Sequence, residues 1–89
     1  MACFLITFDI ASVETRKGLE DRIRALDDTC WNGLEHVWMV NTLLTGLEIR
    51  NSLRKISGPA DKIMVVLLAG WAIWHGFEGD AEAWLTANL

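Results

Sequence analysis

The stretch FLITFDI, residues 4–10, decides the fold of this chain. Its side chains alternate between two directions, as they do along a β-strand. Large apolar side chains point to one face: Phe4, Ile6 and Phe8. Leu5 lies on the other face, which ends at Asp9. The pattern predicts a first strand over residues 2–10 that is apolar on both of its faces.

The segments that follow predict the element order β-α-β-β-α-β. Ser12 is a predicted N-cap, and the spacing from Thr45 to Glu48 is typical of a capping box. An Asn-Gly pair at 32–33 predicts a hairpin turn, because both residues tolerate positive φ. The predicted elements are helices over 12–27 and 45–57 and strands over 29–31, 36–41 and 63–68.

This order predicts an α+β fold, a ferredoxin-like βαββαβ two-layer sandwich with an antiparallel sheet. With 89 residues the chain is long enough for a single domain. We expect that domain to have a core over residues 1–68 and a C-terminal tail over 69–89. The tail is glycine-rich at first and is predicted to end in a short helix that Asp80 caps.

The apolar content exceeds what one small core needs, since 52% of the residues are hydrophobic and five are Trp. The segment 63–68 has no polar side, although an antiparallel sheet open to water should alternate. A second copy meeting sheet against sheet, with the tail crossing over, would cover it. Alternatively, the tail covers it within one chain. The predicted dimer interface comprises Leu5, Thr7, Val65, Leu67, Trp71 and Trp84.

Charge and hydropathy limit the partners. The net charge is −4, which disfavours nucleic acid as a general partner. The longest apolar run, residues 63–74, is too short to span a bilayer, so we expect no membrane association. The apolar N-terminus has neither a basic start nor a cleavage site, which predicts a cytoplasmic protein.

Asp9 is the main candidate for chemistry. At the end of a strand on the predicted interface, it would meet its copy near a two-fold axis. Two facing carboxylates can share a divalent metal that activates water, or they can share a proton. The alternative is structural: Asp9 accepts backbone N–H groups where the first helix begins.

One basic cluster, Arg50, Arg54 and Lys55, is the candidate surface for a phosphate backbone. Arg50 and Arg54 lie one helical turn apart. The alternative interpretation of this cluster is a solvated helix face.

The segment FLITFDI resembles the aromatic-Asp-Ile ending of the first strand in the CRISPR-associated protein 2 superfamily. The stretch LEHVWMV, residues 34–40, and the Trp84-Leu85 pair are similar to the small SinR-like relatives of that group. The resemblance implies a ferredoxin-like homodimer in which Asp9 binds a metal, Mg²⁺ or Mn²⁺, for phosphodiester cleavage. Other members of the superfamily are non-catalytic dimeric bridges in an integrase complex. This chain departs from the family in being acidic.

Three functions follow as hypotheses. The first is a homodimer with a nucleic-acid-related role, acting as a metal-dependent endoribonuclease or deoxyribonuclease through Asp9 of both chains. The second is a catalytically inactive interaction module or scaffold that binds a protein partner through the tail, residues 80–89. The third is a toxin-like ribonuclease.

Overall fold

The structure is a computed structural model that describes residues 1–89. It contains a four-stranded antiparallel sheet and three helices, which confirms the α+β class. The elements are β1 (Ala2–Asp9), α1 (Val13–Leu26), β2 (Trp31–Leu34), β3 (Val37–Thr42), α2 (Gly46–Arg54), β4 (Lys62–Leu67) and α3 (Gly79–Asn88). The strands lie side by side in the order β2-β3-β1-β4.

Two of the three predicted helix caps are present. The Ser12 hydroxyl accepts a hydrogen bond from the backbone N–H of Thr15, at 3.2 Å. Thr45 and Glu48 form the reciprocal capping box at the start of α2. Each cap satisfies backbone N–H groups that would otherwise have no partner in the first helical turn. Helix α2 ends at Arg54, before the predicted end at residue 57.

The hydrophobic core lies between one face of the sheet and the two helices α1 and α2. Leu19 and Ile23 of α1 and Ile49 and Leu53 of α2 are buried against the strands. The sheet contributes Phe4, Ile6, Phe8, Trp38 and Val40 to this core. Because these positions alternate along β1 and β3, the core occupies only one face of the sheet.

The predicted Asn-Gly turn is wrong. The hairpin turns at 35–36, and residues 32–33 belong to β2, where the register shifts between Trp31 and Leu34. The Asn32 amide group donates to the carbonyls of Leu34 and Val37 and so holds the irregular strand. Gly33 is needed for a different reason: a Cβ there would lie 2.3 Å from the ring of Trp31.

The C-terminal tail packs on its own chain. Residues 68–78 have no regular structure, and α3 then begins at Gly79 with Glu78, not Asp80, as the N-cap residue. Leu85 is the buried residue of α3. None of the three helices has both the length and the apolarity needed to cross a membrane.

Candidate functional site

The candidate site is the face of the sheet that α1 and α2 do not cover, called here the open face. Strand pairing places two rows of side chains across it. Met39, Leu5 and Val66 form one row, on β3, β1 and β4. The next row comprises Val37, Thr7 and Met64. Five of these six side chains are apolar, so the centre of the open face is apolar.

Helix α3 covers the half of the open face that β2 and β3 form. The indole N–H of Trp31 donates to the carbonyl of Ala81, at 3.1 Å, and the Trp31 ring packs edge-on against Phe77. Asn41 of β3 donates to the side chain of Asn88 at the end of α3. These contacts are to β2 and β3, and α3, with 10 residues, is only about 15 Å long.

The β1 and β4 half of the open face stays accessible. The Met64 side chain is 58% exposed and Val66 is 39% exposed. The whole chain exposes 5805 Å², whereas a folded monomer of 10.0 kDa is expected to expose about 5,200 Å². The chain therefore exposes more surface than an average monomer of its mass, and part of the excess lies in the irregular segment that carries Trp71 and Ile73.

The structure separates the predicted interface residues. Leu5 and Thr7 lie on the open face, half-buried. Val65 and Leu67 do not: they pair with Ile6 and Phe4 and lie on the helix side of the sheet. The physical reason is strand alternation, which puts Met64 and Val66 on the open face instead.

The two tail residues of the predicted interface also differ from each other. Trp71 lies in the irregular segment after β4 and is 79% exposed. Trp84 packs within its own chain, where its indole N–H donates to the carbonyl of Thr29 at 2.6 Å. Trp71 is therefore available to a partner, and Trp84 contributes to holding α3 on the sheet.

Asp9 is exposed at the end of β1, directly opposite Lys62 of β4. With Thr7 and Met64, the two residues line a cavity of about 260 Å³. Ser12, rather than Asp9, caps the first helix. One chain supplies a single carboxylate here, beside a lysine, and the structure contains no group of three or more metal-ligating residues. The residues of one chain therefore do not fit Mg²⁺ or Mn²⁺, and a second copy would have to supply further oxygen ligands.

The basic cluster belongs to the helix layer, on the opposite side of the sheet from the open face. Arg50 and Arg54 belong to α2, which packs on the helix-covered side of the sheet, and Lys55 is the C-cap residue of that helix. The Arg50 guanidinium donates to the Asn51 side chain, and that of Arg54 donates to the carbonyl of Gly58. The structure does not bring this cluster and the open face together on one surface.

Asp27 is a structural residue that the sequence analysis missed. Its carboxylate accepts the backbone N–H of Asn41, at 2.9 Å, and both the N–H and the hydroxyl of Thr29. Burial alone would raise the pKa of Asp27, but these hydrogen bonds favour the charged form and hold its pKa below the ordinary value. Burial, followed by the nearby Asp27 charge, raises the pKa of the free thiols of Cys3 and Cys30.

The position of Lys62 is the signal that could have located the open face in β4. A lysine at a strand end points to water, so positions 64 and 66, which share its face, lie on the side that the helices leave open. Residues 63–68 alone, which are all apolar, do not distinguish the two faces of this strand.

Comparison with known proteins gives no relative: no family model matches the sequence, no curated protein matches it, and no solved structure matches the fold. The resemblance to the CRISPR-associated protein 2 superfamily stays a prediction.

Proposed function

We propose that this chain is a homodimeric interaction module with ferredoxin-like topology, in which two copies pack their open faces together. The observation that carries the proposal is the uncovered apolar surface of β1 and β4. Burying a Met or Val side chain contributes about 1.5–3 kcal/mol relative to leaving it in water. A surface with several such side chains therefore favours association over exposure.

The ferredoxin-like part of the proposal is supported by the order of the elements. Six elements follow one another as βαββαβ before the tail, and β1 and β3 are the two central strands. Both helices that connect strands lie on the same face of the sheet. A two-layer sandwich of this kind leaves its second face for a partner or for an added element.

The charged end of the open face limits how two copies can meet. An axis parallel to the strands that runs between β1 and β4 would place Asp9 opposite the partner's Lys62, forming two equivalent ion pairs. Each apolar row would then face the same row of the second copy across this axis. Since α3 occupies the β2 and β3 half, this axis lies where the face is accessible.

Analytical ultracentrifugation of the full chain and two variants tests the proposal. Met64→Glu puts a charge on the open face, and Leu47→Glu puts one on the outer surface of α2. The two side chains are similarly exposed, at 58% and 61%, so neither substitution buries a carboxylate in the monomer. We expect the wild type and Leu47→Glu to be dimers at about 50 µM and Met64→Glu to be a folded monomer.

Circular dichroism of each variant separates loss of assembly from loss of folding. A wild-type chain that stays monomeric at about 500 µM would overturn the proposal. So would a Met64→Glu variant that dimerises as tightly as Leu47→Glu.

A second candidate function is phosphodiester hydrolysis, and the position of Asp9 favours it. Asp9 is exposed on the same face as the proposed interface and lines the cavity beside Met64. An axis running along β1 would bring the two Asp9 carboxylates together, whereas the axis between β1 and β4 pairs each with a lysine. The two functions therefore require different dimers.

Cleavage of single-stranded RNA and duplex DNA with Mg²⁺ or Mn²⁺ tests this candidate. If Asp9 acts in the reaction, Asp9→Asn loses cleavage and Asp61→Asn, a nearby acidic control, keeps it. Equal cleavage by both variants, or none by the wild type, would reject the assignment. A Lys62→Asp variant with Asp9→Lys that still dimerises would favour the ion-paired axis.

A further inference from the structure

A second cavity, of about 480 Å³, lies between the start of β2 and the first turn of α3. It is separate from the uncovered half of the open face. Its lining includes Thr29, Trp31, Asn32, Asp80 and Trp84. This volume lies within the range of cavities that hold ligands. One chain supplies the whole lining, so binding in this cavity does not require the proposed dimer.

The N–H and O–H side-chain donors in this lining are already used. The indole N–H groups of Trp31 and Trp84 donate to backbone carbonyls, and the Thr29 hydroxyl donates to Asp27. The amide nitrogen of Asn32 donates to two carbonyls, those of Leu34 and Val37. The only side-chain donor left in the lining is the thiol of Cys30, which is a weak one.

Among the side chains, the other polar and aromatic groups of the lining accept hydrogen bonds or attract cations. The carbonyl oxygen of Asn32 and the carboxylate of Asp80 are hydrogen-bond acceptors. The half-buried indole of Trp84 also lines the cavity, and the face of an indole ring attracts cations. The occupant that matches this set is a cation that carries several N–H donors.

Most charges around the cavity are negative, and the one cation that acts on its lining is Arg24, near Cys30. Asp28 precedes Thr29, and Glu78 and Glu82 lie within two residues of Asp80. Asp80 and Glu82 are in the first turn of α3, where they offset the positive end of the helix dipole. The field at the mouth of the cavity is negative, which favours a positively charged partner.

We propose that the cavity between β2 and α3 binds the guanidinium group of an arginine in a partner polypeptide. A guanidinium is planar and carries five N–H donors, so it can stack on Trp84 while it donates to Asn32 and Asp80. A lysine ammonium is compact and strongly hydrated, so it is less suited than a guanidinium to stack on an indole and donate several hydrogen bonds at once. The partner that this chemistry selects is a basic segment of a protein.

The test uses a capped Gly-Arg-Gly peptide and follows the indole N–H signal of Trp84 by NMR. We expect a saturable shift in the wild type. Asp80→Asn removes the charge from the lining, and we expect it to weaken binding about tenfold, because hydrogen bonds to charged groups are the stronger ones. Glu82→Gln, in the same helical turn but outside the lining, should weaken it less than twofold.

Three further probes define the occupant. The same peptide with citrulline, a neutral group of the same shape, should not bind, and the lysine peptide should bind several-fold more weakly. Citrulline or lysine binding as tightly as arginine would overturn the proposal, as would the absence of a saturable shift. Free argininamide binding where the peptide fails would also overturn it, because the site would then take a small molecule.

Two controls keep this result apart from the homodimer. The monomeric variant Met64→Glu should bind the arginine peptide as the wild type does, and Asp80→Asn should keep the wild-type sedimentation coefficient. If the chain proves monomeric and still binds the peptide, the homodimer fails and the cavity assignment stands. If the chain dimerises and does not bind the peptide, the cavity assignment fails and the homodimer stands.

Discussion

The two faces of β1 have similar apolar sequences and different surroundings. Ile6 is fully buried under the helices, and its neighbour Leu5 is only half-buried on the open face. The helix-covered face meets α1 and α2, whereas the other meets only the short α3 on its far side. An apolar side chain on a strand therefore shows that the position is suited to burial, and the neighbouring elements decide what buries it.

This difference assigns different roles to the two faces. Removing atoms from the helix-covered face leaves a cavity inside a packed core, which lowers the free energy of unfolding. Removing atoms from the open face leaves no enclosed cavity in one chain, so the effect falls on association instead. Pairs of substitutions at neighbouring positions can measure this division.

The largest expected effect on the free energy of unfolding comes from Ile6→Ala, compared with Leu5→Ala at the neighbouring position. We expect Ile6→Ala to lower the free energy of unfolding by about 2–5 kcal/mol, because it empties a fully buried position. Leu5→Ala should cost about 1–2 kcal/mol in the monomer, because Leu5 is only partly buried and no helix covers it, so its removal leaves no enclosed cavity. Urea unfolding of both in the Met64→Glu background makes the measurement. Equal losses would mean that the two faces are equally packed and would remove the basis for the proposed interface.

Local patterns predicted the helices and the core well. The side chains of Ser12 and Thr45 cap their helices by bonding to backbone N–H groups three residues further on, so these caps need no long-range contacts. The buried stripe of α1 follows from its helical period. The core face of β1 followed from the alternation of Phe4, Ile6 and Phe8. Each of these predictions depends on neighbours a few residues away in sequence.

The hairpin and the cavity depend on residues far apart in sequence, so local patterns could not predict them. The Asn-Gly pair forms an irregular part of β2 because the Trp31 ring lies over Gly33, and that ring is held by Ala81 and Phe77 of the tail. The cavity between β2 and α3 is formed by the same tail contact. Asp80 was predicted as a cap and instead lines this cavity.

An intermediate effect on the free energy of unfolding is expected at two glycines, Gly33 in the sheet and Gly18 in the helix layer. A Cβ at Gly33 would overlap the buried ring of Trp31, and forcing that ring aside should cost about 1–3 kcal/mol. A Cβ at Gly18, in α1, meets nothing within 4 Å. Gly18→Ala should therefore stabilise the protein by up to about 1 kcal/mol, because alanine is the better helix former. Thermal unfolding of the two variants should shift the midpoint in opposite directions. A neutral Gly33→Ala would show that the contact between Trp31 and the tail is loose.

The smallest expected effect on the free energy of unfolding is at Asp27, the C-cap residue of α1, whose carboxylate is hydrogen-bonded to β3. Hydrogen bonds to a charged group contribute about 1.5–3 kcal/mol in favourable sites, and because this carboxylate is partly exposed we expect Asp27→Ala to cost about 1 kcal/mol. Asp28→Ala, the adjacent acidic residue, is the matched control and should be near neutral.

The pH dependence identifies the cause of the Asp27 effect. The folded chain holds the pKa of Asp27 below its ordinary value of 3.8, so the folded state favours the carboxylate more than the unfolded state does. The stabilisation is complete above the ordinary pKa and is lost as pH falls through the lower, folded one. The difference in unfolding free energy between wild type and Asp27→Ala should thus be constant from pH 7 to about 5 and shrink below about 4. A difference that stayed constant down to pH 2.5 would show that packing, and not the three hydrogen bonds to the carboxylate, holds this junction between the helix layer and the sheet.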